Sequence, residues 1–410
     1  MPSIFLIETS QKREFDMINE PQKISVMHQY RLISLRICIY FMTFFFSLTL
    51  TCNAQITSLP SIEWSLLPPI PDLEGFAGMF AGIIDGKLIV AGGANFPNGY
   101  PWEGGQKNWS NRIFILESKT SKNWTESTLR LPKSIAYGVS CTFNNRLICA
   151  GGETGPSKNL ANSKPSCISD VFSIGFKEGK LHLLELPSLP QPIKDACGLR
   201  IESHLVIFGG IESPSANKAS REMWILDLEN PEKSWIKGIA IPGSGRIQSI
   251  AASTMKELIV FGGIEIEKGA DSLSLRKMPY LREVWNYQPG EVFENGKWRR
   301  IHDMPIDLAA SPGPAWNINP SQIAIVGGVS SERHRLSQKG HQGWAHDIYL
   351  YDMILDKWDV LKNTIPGGNS RVTAPALVWG SDYVVISGEV SPGKRTPQVI
   401  RFSTPRGSKD

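Results

Sequence analysis

One short pattern recurs six times along this chain: an apolar run that ends in two small residues, usually Gly-Gly. It reads Leu88-Ile-Val-Ala-Gly-Gly93, Leu147-Ile-Cys-Ala-Gly-Gly152 and Leu205-Val-Ile-Phe-Gly-Gly210. It returns as Leu258-Ile-Val-Phe-Gly-Gly263, Ile323-Ala-Ile-Val-Gly-Gly328 and Tyr383-Val-Val-Ile-Ser-Gly388. The first small residues fall at 92, 151, 209, 262, 327 and 387, so the steps are 59, 58, 53, 65 and 60. A period of that size marks a repeat architecture, in which each unit buries its apolar faces against its neighbours.

Each unit reads as four short strands. Runs of small and apolar residues supply an inner strand in five of them: 75–84, 136–141, 196–199, 249–252 and 373–377. Asp85-Gly86 and Asn144-Asn145 are turn residues that tolerate positive φ and lead into the Gly-Gly strand. An aromatic strand follows, as in Ile113-Phe-Ile-Leu116 and Ile348-Tyr-Leu-Tyr351. Trp124, Trp235, Trp298 and Trp358 open the fourth strand in four units. With no amphipathic helix in the pattern, a parallel α/β fold is not expected; an all-β, six-bladed propeller is. The last unit ends near Phe402 without a Trp-led strand, whereas Ile62-Glu-Trp64-Ser-Leu-Leu67 stands alone before the first inner strand. The N-terminal strand is therefore expected to complete the sixth blade and close the ring. The Gly pairs are expected where blades approach closely; no Gly-Lys-Ser/Thr follows them, so they are not phosphate loops.

Composition sets the remaining limits. A formal net charge of +4 over 410 residues leaves no electrostatic footprint for nucleic acid. Cys141, Cys149, Cys167 and Cys197 in the body form no CxxC, so a structural zinc is not expected. Across an Asn144-Asn145 turn, Cys141 faces Ile148 and cannot bridge to Cys149. At the N-terminus, Arg31 and Arg36 precede an apolar run of about fifteen residues and then Cys52-Asn-Ala54-Gln55, the layout of a secretory signal cut after Ala54. The run is short for a membrane span; a retained anchor and lipidation at Cys52 are the alternatives. The expected organisation is a signal and leader over 1–54 and one propeller over 55–410, exported to the periplasm and free of the membrane once the signal is cut.

These features resemble the Kelch-type propellers, and within them the N-acetylneuraminate epimerase (sialic acid mutarotase) family in a cyclically permuted order. The motifs that carry the likeness are Asp72-Leu-Glu-Gly-Phe-Ala-Gly-Met-Phe-Ala-Gly82, Ala91-Gly-Gly-Ala-Asn-Phe96 and Trp102-Glu-Gly-Gly-Gln-Lys107. Ala136-Tyr-Gly-Val-Ser140, Gly151-Gly-Glu-Thr154 and Gly388-Glu-Val-Ser-Pro-Gly-Lys-Arg-Thr396 complete it. In the ordinary family order the Gly-Glu…Arg-Thr block precedes the Gly-Phe-Ala-Gly block. Here the first lies near the C-terminus and the second near the start, and closure of a ring brings them together again.

Alignment of the repeats places Ala94, Glu153, Ile211, Ile264, Val329 and Glu389 after the small pairs, so two carboxylates stand among apolar positions at one mouth of the ring. The loops Ala94–Asn111, Ile264–Arg282 and Val329–His346 are long enough to wall a pocket there. The resemblance implies Glu389 as the acid/base of a mutarotase and Arg395 as the clamp on a sugar carboxylate, with sialic acid as substrate and no cofactor. Glu389 paired with Arg395 for structural reasons alone is the competing reading. Glu153, Asn95, Glu103, Arg371 and Tyr137 are the candidate substrate-binding residues, and Arg246 and Arg200 are further candidates for the mouth. His334, His341 and His346 share one loop without metal-ligand spacing, so no metal is expected. A copper-radical oxidase on Kelch blades lacks its ligand motif here; a non-catalytic propeller that binds a glycan or protein remains the rival.

Overall fold

The computed structural model describes residues 60–157, 162–254, 256–266, 279–334, 341–367 and 369–404. The secretory-signal reading of 1–54 therefore lies outside the described residues, as do the middles of two of the three wall loops. Among the described residues no helix is long and apolar enough to cross a membrane.

The fold is all-β and propeller-like, built on four-stranded antiparallel sheets in which consecutive strands pair. The first orders Ala77–Ile84, Lys87–Asn95, Ile113–Leu116 and Thr125–Glu126 from its inner to its outer strand. Five further sheets repeat that order, with inner strands Val139–Phe143, Cys197–Ile201, Ile250–Ser253, Trp316–Asn319 and Ala376–Trp379. The fifth of these six inner strands escaped the sequence pattern because Pro312 and Pro314 interrupt the small residues that lead into Trp316.

In the last sheet the outer position is filled from the other end of the chain: Glu63–Leu67 pairs antiparallel with Val399–Ser403, Trp64 opposite Phe402. Register follows turn chemistry elsewhere too. Asn144 and Asn145 both adopt positive φ, Cys141 lies opposite Ile148, and Ser140 opposite Cys149. The four described cysteines are free.

Neighbouring sheets meet face to face through separate apolar clusters. One joins Phe80 and Ile89 to Phe172 and Ile174; another joins Val384, Ile386 and Val399 of the last sheet to Leu88, Val90 and Phe114 of the first. The outer-strand tryptophans tie this packing together. Trp124, Trp235, Trp298 and Trp358 donate their indole N–H to the carbonyls of Pro68, Pro187, Ile239 and His302, each just beyond the outer strand of the preceding unit. Trp235 is buried and the other three are half-buried; an indole with its ring largely covered uses such a partner, and each bond links adjacent sheets.

Candidate functional site

The site begins with a backbone feature that recurs in every unit. At or ahead of the start of each inner strand, one residue holds a left-handed conformation: Gly78, Tyr137, Asp195, Gln248, Ala310 and Thr373 have φ between 51° and 66°. Five of the six are not glycine, and a bulky residue such as Tyr137 occupies that region only where its surroundings impose it. What imposes it is a hydrogen-bond series. Tyr137 N donates to Gly78 O, Asp195 N to Tyr137 O, Gln248 N to Asp195 O, Ala310 N to Gln248 O, Thr373 N to Ala310 O, and Gly78 N to Thr373 O, all at 2.8–3.0 Å.

Two cavities lie on either side of this belt, and the five non-glycine residues line both. The narrower one, about 140 Å³, runs between the inner strands past Gly138, Ser140 and Ser249. The wider one, about 330 Å³, is walled by Lys107, Lys194, Tyr280, Trp344 and Glu389 among others. Its size suits a monosaccharide-scale ligand.

The residue before each belt position pairs with the residue after each small pair. Ala136 lies opposite Glu153, Lys194 opposite Ile211, Ile247 opposite Ile264, Ala309 opposite Val329, and Val372 opposite Glu389. This gives the two sequence-predicted carboxylates equivalent places in their units but different settings: Glu389 lines the wider cavity, whereas Glu153 lies off the lining of both cavities, paired to the lining residues Lys107 and Lys194.

Glu153 is buried, 3% exposed, and grips two cations: Lys107 Nζ at 2.8 Å and Lys194 Nζ at 2.5 Å. Burial works to raise its pKa, but the two ammonium groups outweigh burial and hold the carboxyl below its usual range. Lys107 also stands 4.2 Å from the centre of the Tyr137 ring, a cation–π contact.

Glu389 lies on the short hairpin Glu389–Ser391 / Lys394–Arg395, directly across from Arg395. The Arg395 guanidinium is ion-paired to the Glu389 carboxylate through Nη1, while Nη2 approaches the Tyr137 hydroxyl at 3.4 Å. Burial nevertheless dominates, and the Glu389 carboxyl is raised despite the opposing charges of Arg395 and, further off, Lys107. Trp344 fixes the hairpin from the opposite wall, its indole donating to the Glu389 carbonyl at 2.8 Å. The charged form is therefore favoured at Glu153, whereas burial shifts Glu389 toward its neutral form.

Arg395 itself is 7% exposed and stands behind Glu389, outside the cavity lining. The other predicted residues divide. Tyr137 projects from the belt into both cavities. Arg371, expected at the mouth, is instead 1% exposed, and its Nη1 donates to the carbonyls of Ser387 and Gln398. Arg246 does the same work two units earlier, donating to the Gly262 carbonyl and to Glu283. Both precede the belt by two residues, and each guanidinium bonds to later residues of its own unit.

Arg200 is exposed on an inner strand and bonds the Glu202 carbonyl. Asn95 is buried and donates to Asp72 at 3.3 Å. Glu103 is exposed in a 3-10 turn, where its carboxylate accepts from the Tyr100 backbone N–H. Neither Asn95 nor Glu103 lines either cavity; they order the loop that delivers Lys107. Of the three loop histidines, His334 lines the wider cavity, and among the described residues no cluster of His, Cys, Asp and Glu fits a metal ion.

Sequence reasoning passed over Lys107, Lys194, Asp195, Tyr280 and Trp344. Lys194-Asp195 was within reach, because it occupies the repeat position of Ala136-Tyr137.

Comparison with known proteins bears on this arrangement. A sequence model of N-acetylneuraminate epimerase matches residues 51–181. An N-acetylneuraminate epimerase of Salmonella typhimurium is 24% identical over 242 residues, 53% of this chain and 58% of that protein. One from Escherichia coli is 36% identical over 119 residues, 27% of this chain and 31% of that protein. The chain thus spans under three fifths of the length of these curated relatives. The solved structure of YjhT superposes with a TM-score of 0.59 at 15% identity, covering 83% of this chain and 98% of that one, a likeness of fold. The resemblance to the N-acetylneuraminate epimerase family read from the motifs is thereby supported by the sequence model and by the curated relatives.

Proposed function

We propose that this chain is a sugar-acid mutarotase that interconverts the α and β anomers of N-acetylneuraminate, on a closed six-bladed propeller that follows an exported leader. The circuit of six belt hydrogen bonds and the apolar cluster between the last and first sheets support the closed ring. The observation that carries the activity is Glu389, a carboxylate with a raised pKa on the wall of a sugar-sized cavity. Glu389 accepts the anomeric hydroxyl proton as the ring opens and returns it to the new anomeric oxygen after reclosure on the other face. Arg395 orients that carboxylate from behind. The carboxylate of the sugar acid meets Lys107, the cation on the lining near both acidic groups, which takes over the clamp role first expected of Arg395.

Proton NMR of freshly released α-N-acetylneuraminate tests the reading. The purified protein is expected to speed the approach to the β anomer well beyond the uncatalysed rate, and an unaccelerated decay sinks it in favour of a binding propeller.

A pH profile carries a second expectation. Glu389 works ionised, so kcat/KM should rise with pH through an inflection above the ordinary carboxylate range. Stability follows the opposite sign for this group. Its raised pKa favours the fold most at acid pH, and that contribution fades as pH rises through the folded value. Glu153, held low, contributes at neutral pH and loses its contribution as pH falls through its depressed value.

A further inference from the structure

A mutarotase must protonate the ring oxygen as well as remove the anomeric proton, and Glu389 serves only one of these positions at a time. The wider cavity holds a second group that the reading above leaves unused. Tyr280 lies next to Ile264 in an isolated β-bridge and packs against the cluster of Ala310, Val329, Trp344 and Val372. Its hydroxyl is 2.5 Å from His334 Nδ1, with the two rings edge to face at 5.7 Å. Both residues line the cavity that Glu389 lines, and Trp344 touches both parts of the site, packing with Tyr280 and donating to the Glu389 carbonyl.

We infer that Tyr280, held by His334, is the acid that protonates the ring oxygen of the sugar acid; this rests on the mutarotase reading above. With His334 in its Nδ1–H tautomer, the imidazole donates to the phenol oxygen and leaves the phenol proton directed to the cavity. Desolvation and the neighbouring His341 hold the His334 imidazolium below its usual range, which favours the neutral ring at neutral pH.

The step balances. The anomeric O–H proton passes to Glu389 while the bond between the anomeric carbon and the ring oxygen breaks, and its electron pair stays on the ring oxygen. That oxygen takes the Tyr280 proton, leaving an open-chain keto acid and a phenolate that accepts from His334. In reclosure the freed hydroxyl attacks the opposite face of the ketone and returns its proton to Tyr280, and Glu389 protonates the new anomeric oxygen. Burial raises the Tyr280 pKa, so the phenolate is short-lived and is reprotonated as the ring recloses. Tyr280 is the catalytic residue in this scheme and His334 the positioning residue.

The test is α-anomer decay, followed by NMR at several sugar concentrations, for wild type, Tyr280→Phe and His334→Gln. Loss of the phenol proton is expected to lower kcat by about a hundredfold or more with KM nearly unchanged. His334→Gln, which leaves Tyr280 in place, is expected to lower kcat by roughly tenfold. An active wild type alongside a Tyr280→Phe protein with kcat within about twofold of it overturns the role of Tyr280 alone. An inactive wild type overturns the mutarotase reading and this inference together. A rise in KM at unchanged kcat for both variants also overturns it, since that pattern marks a wall of the pocket rather than an acid.

Discussion

Glu389→Gln is expected to lower kcat for α-to-β conversion by about 10²–10⁴-fold, the range removed with a general acid–base group, while KM changes little. Gln keeps the volume and an acceptor for the Arg395 guanidinium but cannot take up a proton. The buried Arg395 then lacks a counter-charge, so a modest fall in Tm should accompany the loss. Glu153→Gln is the informative comparison. Glu153 is clamped by Lys107 and Lys194 and held below the usual carboxylate range, which makes it a poor proton acceptor at neutral pH. Its loss should act on stability and on the placement of Lys107, with the larger part of kcat retained. The reverse order of the two variants would transfer the acid–base role to Glu153, and equal, near-normal rates would remove both carboxylates from the chemistry.

Gly75→Ala is expected to destabilise the fold by about 2–5 kcal/mol and to abolish the activity with it. Gly75 sits at φ +69°, and a Cβ there would lie 2.2 Å from the Thr396 carbonyl oxygen, next to Arg395. The first cost is left-handed strain of roughly 1–2 kcal/mol, and the second is overpacking of about 1–3 kcal/mol. Surrounding bonds leave little room to relax. Phe76 N donates to Ser387 Oγ, Ser387 Oγ donates to the Thr396 carbonyl, and Gly388 N donates to the Phe76 carbonyl. The Thr396 segment would have to move, and the Glu389–Arg395 pairing with it.

Gly86→Ala separates the two costs. Gly86 has φ +74° but open space around its Cβ position, so only the strain remains, about 1–2 kcal/mol, with activity intact. Thermal melts and the NMR assay on both variants measure this. Equal losses in the two would mean that the contact between the head and the tail of the described chain does not position the site.

The two largest elements of the site were legible in the sequence to different depths. Glu389 and Arg395 stand six residues apart across a Pro392-Gly393 turn, and a hairpin that places them opposite each other is a local consequence of that spacing. That Arg395 would end behind the carboxylate, leaving the lining to Lys107, depended on the loop 97–107, which packs Pro101 and Trp102 against Gly393. Arg371 illustrates the same divide. Its place two residues before the belt was readable from the repeats, but the direction of its side chain was set by the carbonyls of Ser387 and Gln398, which belong to a later stretch of the same sheet.

The sequence alone determined the units, most of their strands, the turn registers and the pairing of strand Glu63–Leu67 with the last sheet. The strands and turns rest on alternation and turn preference, which act over a few residues and recur from unit to unit, and the pairing rests on the strand that the last unit lacks. Tertiary structure alone decided which side chains share a cavity. Lys107, Tyr137, Lys194, Tyr280 and Glu389 come from distant units, and the belt that aims several of them is held by backbone hydrogen bonds between units, which force a left-handed bend on Tyr, Asp, Gln, Ala and Thr. Residues that do not favour that bend carry no local signal for it, so it appears only once the units have packed.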